Sequence, residues 1–168
     1  MELIDIMKSR HSVRQYTHRN IEDEVKNELR KVIEECNKES GLNIQIFFNE
    51  PKCFQGMMAH YGKFRDVQNY IALVGHKDAK LEAKAGYYGE KIVLKAQELG
   101  LNTCWVALTH GKSEAIIKKG EKLACLISIG YGVNLGVPHK SKPMDQLCKT
   151  DVPMPEWFQK DKLLNVNN

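Results

Sequence analysis

The sequence lacks any apolar run near the roughly 18 residues that a membrane-crossing helix requires, so nothing in it points to a bilayer. Cysteine is scarce: Cys36, Cys53, Cys104, Cys125 and Cys148 are odd in number, widely spaced and never arranged as Cys-x-x-Cys. That spacing argues against both a disulfide framework and a zinc site. Cys104 and Cys125 lie in apolar runs, which suits buried thiols better than nucleophiles. A strong charge of one sign is also missing. Twenty-five Lys and Arg face 21 Asp and Glu, a net charge of +4, and acidic residues interrupt most of the basic stretches. This is too mild and dispersed for nucleic acid and suits a smaller anion such as a phosphate group. The six histidines are scattered, and neither a Ser-His-Asp arrangement nor a metal-ligand cluster stands out. There is no internal repeat and no low-complexity tract. Glu2, Asp5 and Lys8 break up the N-terminus, unlike a secretory signal, and the expected address is cytoplasmic.

What the sequence does contain is an ordinary globular composition. Its 168 residues are 42% hydrophobic and 27% charged, enough for one domain with a real core. Leu3, Ile4 and Met7 fall at helical spacing and predict a short amphipathic helix closed by Arg10. Residues 11–18 are polar and aperiodic, as in a loop. Asn20 is placed to cap a second helix with the stripe Ile21, Val25, Leu29, Val32, Ile33 and Cys36, ended by Ser40-Gly41. A long helix over 79–99 carries Ala85, Tyr88, Ile92, Ala96 and Leu99 on one side, with Gly100 as its stop. Strands are predicted over 43–48, 70–75, 103–109 and 123–130, the second as a central one because its apolar run is continuous. From Val133 the composition turns to Pro, Lys and Gly, with a helical hint at 144–147. The expectation is an α+β domain over 1–158 with a short tail over 159–168.

Three segments carry chemistry. In Arg10-His11-Ser12-Val13-Arg14-Gln15-Tyr16, two guanidinium groups and a hydroxyl alternate and can share a side of an extended chain. Arg offers a planar fork for phosphate and Ser another donor. The residues alone leave an anion site and an exposed basic loop equally open. Gly100-Leu101-Asn102-Thr103-Cys104-Trp105-Val106 reads as a helix stop before a buried strand. Gly130-Tyr131-Gly132, followed by Pro138-His139-Lys140-Ser141-Lys142-Pro143, reads as a strand end and a basic loop.

Taken together and in this order, the three segments resemble the flavin-dependent nitroreductase family. The first is similar to its Arg-x-Ser-x-Arg-x-aromatic signature, the second to its Gly-Leu-Gly-Thr-Cys-Trp stretch, the third to its Gly-Tyr strand end and Lys-x-Arg-Pro-like element. The resemblance implies an α+β nitroreductase-like fold, a mixed or antiparallel sheet of about four strands flanked by helices. It implies FMN as cofactor, NAD(P)H as co-substrate and an intertwined homodimer. Arg10 and Ser12 would hold the FMN phosphate and ribityl chain, and Arg14 would approach the polar edge of the ring. Thr103, Cys104 and Trp105 would lie beside the flavin, although Trp105 as a plain core residue is just as good an explanation. Lys140 and Lys142 would face the phosphate, with Lys142 in place of the family's Arg and so without its fork. Asn102 replaces a Gly, and Asn is the next-best residue for a left-handed backbone.

Two departures set this chain apart. The Pro-Ser/Thr-Ala-x-Asn-x-Gln element that follows the second helix in most of the family has no counterpart between Cys36 and Asn43. In the branch that this chain resembles more closely, a similar element follows a Pro-x-Trp-Phe segment. Pro155-Glu156-Trp157-Phe158 is present, but residues 159–168 contain no such element, which implies a weaker hold on the flavin ring. The expected function is therefore electron transfer from NAD(P)H through FMN to a nitroaromatic, quinone or related acceptor. The alternatives are a flavin-binding or degenerate relative without turnover, and a binding module for another small phosphate-bearing ligand.

Overall fold

The computed structural model describes residues 2–138 together with Lys142 and Gln146. Its centre is built by the two most apolar stretches. Strand β2 (Asn69–His76) is buried at every residue but the last, and β4 (Glu121–Gly130) pairs along it from Asn69 opposite Ile129 to His76 opposite Glu121. With β1 (Gln45–Phe47) and β3 (Asn102–Val106) they form a four-stranded sheet in the order β1-β2-β4-β3, antiparallel at every pairing. A register shift between Leu73 and Val74 is the sheet's one irregularity among these pairings.

Because side chains alternate along a strand, the sheet has two apolar faces. Ile71, Leu73, Ile127 and Ile129 face helices α2 (Asp23–Ser40) and α4 (Leu81–Glu98), meeting Leu29, Ile33 and Cys36 from one and Ile92, Val93 and Ala96 from the other. Tyr70, Ala72, Val74, Cys104, Val106 and Leu126 face the opposite way. There Val13 and Tyr16 cover the sheet together with Phe54, Phe64 and Val67, which come from the segment between β1 and β2. That segment holds a 3-10 turn (Lys52–Phe54) and a short helix α3 (Met57–Tyr61). The layers are thus helices, sheet, and a mainly irregular cover that includes the N-terminal Arg-x-Ser segment.

Several expected boundaries shift for physical reasons. Helix α1 (Leu3–Ser9) forms as predicted, but it buries Ile6 and leaves Leu3 and Ile4 more than half exposed. Asn20 is not the cap of α2. Glu22 holds that position without a capping side-chain bond, since its carboxylate is engaged by Arg19 and by the Tyr131 hydroxyl. Gly41 does end the helix, at φ 70, in the left-handed region that favours glycine. Strand β3 stops at Val106, three residues short of the expected end, and Leu108 is exposed. The hint at 144–147 lies outside the described residues except for Gln146, which is helical.

Candidate functional site

The segment expected to be a free loop is stitched to three separate parts of the molecule. Ser12 pairs in parallel with Thr103 on β3, Gln15 in parallel with Arg65, and Tyr16 antiparallel with Gly132. The Val13 amide donates to the Thr103 carbonyl at 3.0 Å, the Arg65 amide to the Arg14 carbonyl at 2.9 Å, and the Thr17 amide to the Tyr131 carbonyl at 2.8 Å. Buried Val13 and Tyr16 nail this strap to the sheet. The Tyr16 hydroxyl donates to the Val13 carbonyl at 2.7 Å and shares a 2.8 Å hydrogen bond with Ser128 on β4. Burial in this setting raises the Tyr16 phenol far above its usual range, so it stays neutral.

Five buried side-chain polar atoms among the described residues have no hydrogen-bond partner, and four of them belong to the strap or its pairing residue. They are Arg10 Nη1, His11 Nδ1, Ser12 Oγ and Thr103 Oγ1. Arg10 is only 7% exposed. Its Nε lies 3.4 Å from Glu90 Oε1 on α4, and the other carboxylate oxygen of Glu90 accepts the Trp105 indole N–H at 3.1 Å. A buried donor without a partner forfeits about 1–3 kcal/mol. Such atoms are seldom left in a cluster unless a ligand or ordered water completes them.

The structure brings Arg10, Ser12, Thr103 and Cys104 together and leaves Arg14 exposed at the edge of the same strap. Burial pushes the Cys104 thiol up, against the opposing pull of the Arg14 charge, the nearby Ser12 hydroxyl and Arg10, so it is not an activated nucleophile. Trp105 is half-buried, and its ring packs so close to α4 that a Cβ on Gly89 would sit 2.4 Å from it. It faces the helical layer. Lys142 is exposed, and Lys140 lies outside the described residues.

Asn102 is a correction. It is not among the residues with positive φ; it opens β3 in ordinary extended backbone. Its side-chain oxygen accepts the Gly132 amide at 3.0 Å, joining the start of β3 to the loop after β4. That loop folds over the strap, with Gly136 at φ 81 so close that a Cβ would lie 2.5 Å from that of His11. Glu90 and Ser128 carry no signal in the sequence. Glu90 falls outside the apolar stripe of α4, and Ser128 looks like one polar residue in an apolar strand.

Beside the strap, reached through the Gln15–Arg65 pairing, lies a cleft of about 470 Å³. Phe54, Phe64 and Val67 form its apolar part, and Gln55, His60 and Arg65 are among its polar residues. The described cysteines (Cys36, Cys53, Cys104 and Cys125) are all free, and Cys53 is pushed up to about 12 by burial. No group of His, Cys, Asp and Glu among the described residues could hold a metal ion. No described helix is long and apolar enough to cross a membrane.

A family match and several solved structures place the chain among known proteins. Residues 2–162 match the family described as "Putative TM nitroreductase". No curated protein matches the chain. Among solved structures, a "putative nitroreductase in complex with fmn" from Desulfovibrio desulfuricans aligns with a TM-score of 0.71 at 16% identity, covering 92% of this chain and 99% of that one. A nitroreductase family protein from Streptococcus pneumoniae TIGR4 aligns at 0.69 and 15% identity, covering 89% and 100%. An FMN-dependent nitroreductase from Clostridium difficile R20291 aligns at 0.60 and 20% identity, covering 82% and 91%. At these identities the structural likeness speaks for the fold, while the sequence match spans nearly the whole chain: the protein belongs to the nitroreductase family.

Proposed function

We propose that the protein is an FMN-dependent oxidoreductase that takes electrons from NAD(P)H and passes them to a nitroaromatic, quinone or related acceptor. The observation that carries this is the cluster of partnerless buried atoms on Arg10, His11, Ser12 and Thr103. A phosphate monoester fits that donor set: it is anionic, offers several acceptor oxygens and is matched by an Arg fork with hydroxyls beside it. Arg10, Ser12 and Thr103 would hold the phosphate and ribityl end, with Lys140 and Lys142 adding positive charge. When bound, FMN supplies the hydride and electron chemistry.

The remaining work falls to the protein. Arg14, exposed next to the buried donors, would offer a permanent positive charge to the negative charge that reduction puts on the ring. Cys104 stays a neutral thiol and adds an apolar wall. The cleft beside Arg65 offers an aromatic acceptor both Phe rings and polar groups. The family resemblance implies a homodimer, whose interface could cover exposed apolar residues such as Leu3, Ile4, Tyr87, Leu135 and Val137. The test is the cofactor content of the purified protein. FMN released on denaturation, with flavin absorption before it, supports the proposal. A colourless protein that takes up no added FMN refutes it, and a monomer mass by light scattering refutes the dimer.

A further inference from the structure

Glu90 has no part in the phosphate contacts described above, yet it touches two of the residues around them. One carboxylate oxygen lies on the Nε edge of Arg10 and the other on the indole N–H of Trp105. A guanidinium has five N–H donors in a fixed fork. The ion pair to Glu90 lies on its Nε side at 3.4 Å, and Nη1 is buried with no partner. Trp105 is itself fixed, because its ring fills the space above Gly89 and packs against the core cluster that holds Leu73. Strap, β3 and α4 therefore meet on one carboxylate.

We propose that Glu90 is a positioning residue: it anchors Arg10 to the fixed indole of Trp105, so that the free end of the guanidinium stands ready for a phosphate group. For its FMN arm this rests on the function proposed above. Two effects of Glu90 oppose each other. Its negative charge repels an anion, whereas its grip removes the rotamer freedom that a long Arg side chain would otherwise lose on binding. The grip prevails if the carboxylate stays on the Nε edge, away from the ligand.

The experiment titrates the flavin-free full chain with FMN and, separately, with riboflavin, which lacks the phosphate. Glu90→Gln keeps an acceptor for Trp105 but presents no anion to Arg10; Glu90→Ala removes both contacts. FMN binding should weaken about tenfold in either variant, while riboflavin binding stays unchanged. In an Arg10→Ala background, Glu90→Gln should have no further effect. Equal losses for both flavins would show a general packing role and overturn the proposal, as would tighter FMN binding. If Glu90→Ala does not fold, Glu90→Gln alone decides.

A separate arm needs no flavin. In a Trp157→Phe chain the only indole left is Trp105, and inorganic phosphate should shift its emission in the parent but not in Glu90→Gln. An unaltered chain that binds neither flavin refutes the FMN proposal and leaves Glu90 to this arm. Emission that ignores phosphate, or shifts equally in both chains, overturns the positioning role.

Discussion

Replacing Tyr16 with Phe isolates what holds the strap in place. The ring would stay, so no cavity forms; only the hydroxyl is lost. That hydroxyl donates to the Val13 carbonyl at 2.7 Å and meets Ser128 Oγ at 2.8 Å in a site sealed from solvent. Ser128 keeps a longer contact to the Cys104 carbonyl at 3.4 Å, so part of its bonding survives. Removing one partner of a buried hydrogen bond costs about 1–3 kcal/mol. For a chain of this length each kcal/mol shifts the melting midpoint by about 2–4 °C, so Tyr16→Phe should melt roughly 2–12 °C lower. Thermal unfolding followed by circular dichroism measures this, with Ser128→Ala and the double variant completing a cycle. The coupling should be about 0.5–3 kcal/mol, because the two hydroxyls share one bond. FMN affinity should fall alongside, since Arg10, Ser12 and Arg14 ride on the same strap. An unchanged midpoint, or two losses that simply add, would refute the argument that this network fastens the strap.

Arg10→Ala should remove a charge-assisted contact of about 1.5–3 kcal/mol and weaken FMN binding by roughly one to two decades in a fluorescence titration. Lys142→Ala should cost less, because an exposed ammonium is readily replaced by water; the reverse order would undo the assignment. Gly89→Ala would place a Cβ 2.4 Å from the Trp105 ring and 2.9 Å from Leu73. Overpacking of about 1–3 kcal/mol should exceed the helix-propensity gain of about 0.5–1 kcal/mol, lowering the melting midpoint and changing Trp105 emission. The Tyr131 hydroxyl and Arg19 hold the Glu22 carboxyl down from 4.5 to about 2. Its contribution to stability is therefore complete above the ordinary carboxylate range and is lost as pH falls through that range towards 2. Glu22→Gln should flatten this part of the acid unfolding profile; an unaltered profile would show that the contact contributes nothing.

Where one physical rule governs an element, its residues announce it. The unbroken apolar run after Tyr70 marks the central strand, and the stripe from Ala85 to Leu99 with Gly100 behind it marks α4, since both follow from burial and periodicity. The strap was hidden for the opposite reason. Its pairings run to Thr103, Arg65 and Gly132, and no local pattern encodes partners so far away. Val13 and Tyr16 sit in a polar, aperiodic stretch and find their apolar neighbours only on the sheet. Among the site residues, Arg10, Ser12 and Arg14 stand out by alternation and by resemblance. Glu90 does not, because its importance lies in two contacts across space and a carboxylate on an exposed helix turn looks the same without them. Asn102 misled because its type suits a left-handed turn, whereas here its side chain does the work by holding Gly132.

The strap also sets the order in which the molecule can be completed. Tyr16 and Ser128 stand 112 positions apart in sequence. At about 5–20 residues per second, a ribosome needs roughly 6–22 s between making one and making the other. Through that interval Val13 and Tyr16 have no β4 to close against, and the donors of Arg10 and Ser12 are not gathered. Residues made well before β4 are thus among the last to find their places. High sequence separation of this kind slows folding. If the strap binds an anion, that binding depends on β4 as well: a polypeptide that stops short of β4 has every residue of the N-terminal signature and lacks the Ser128 contact that fastens it.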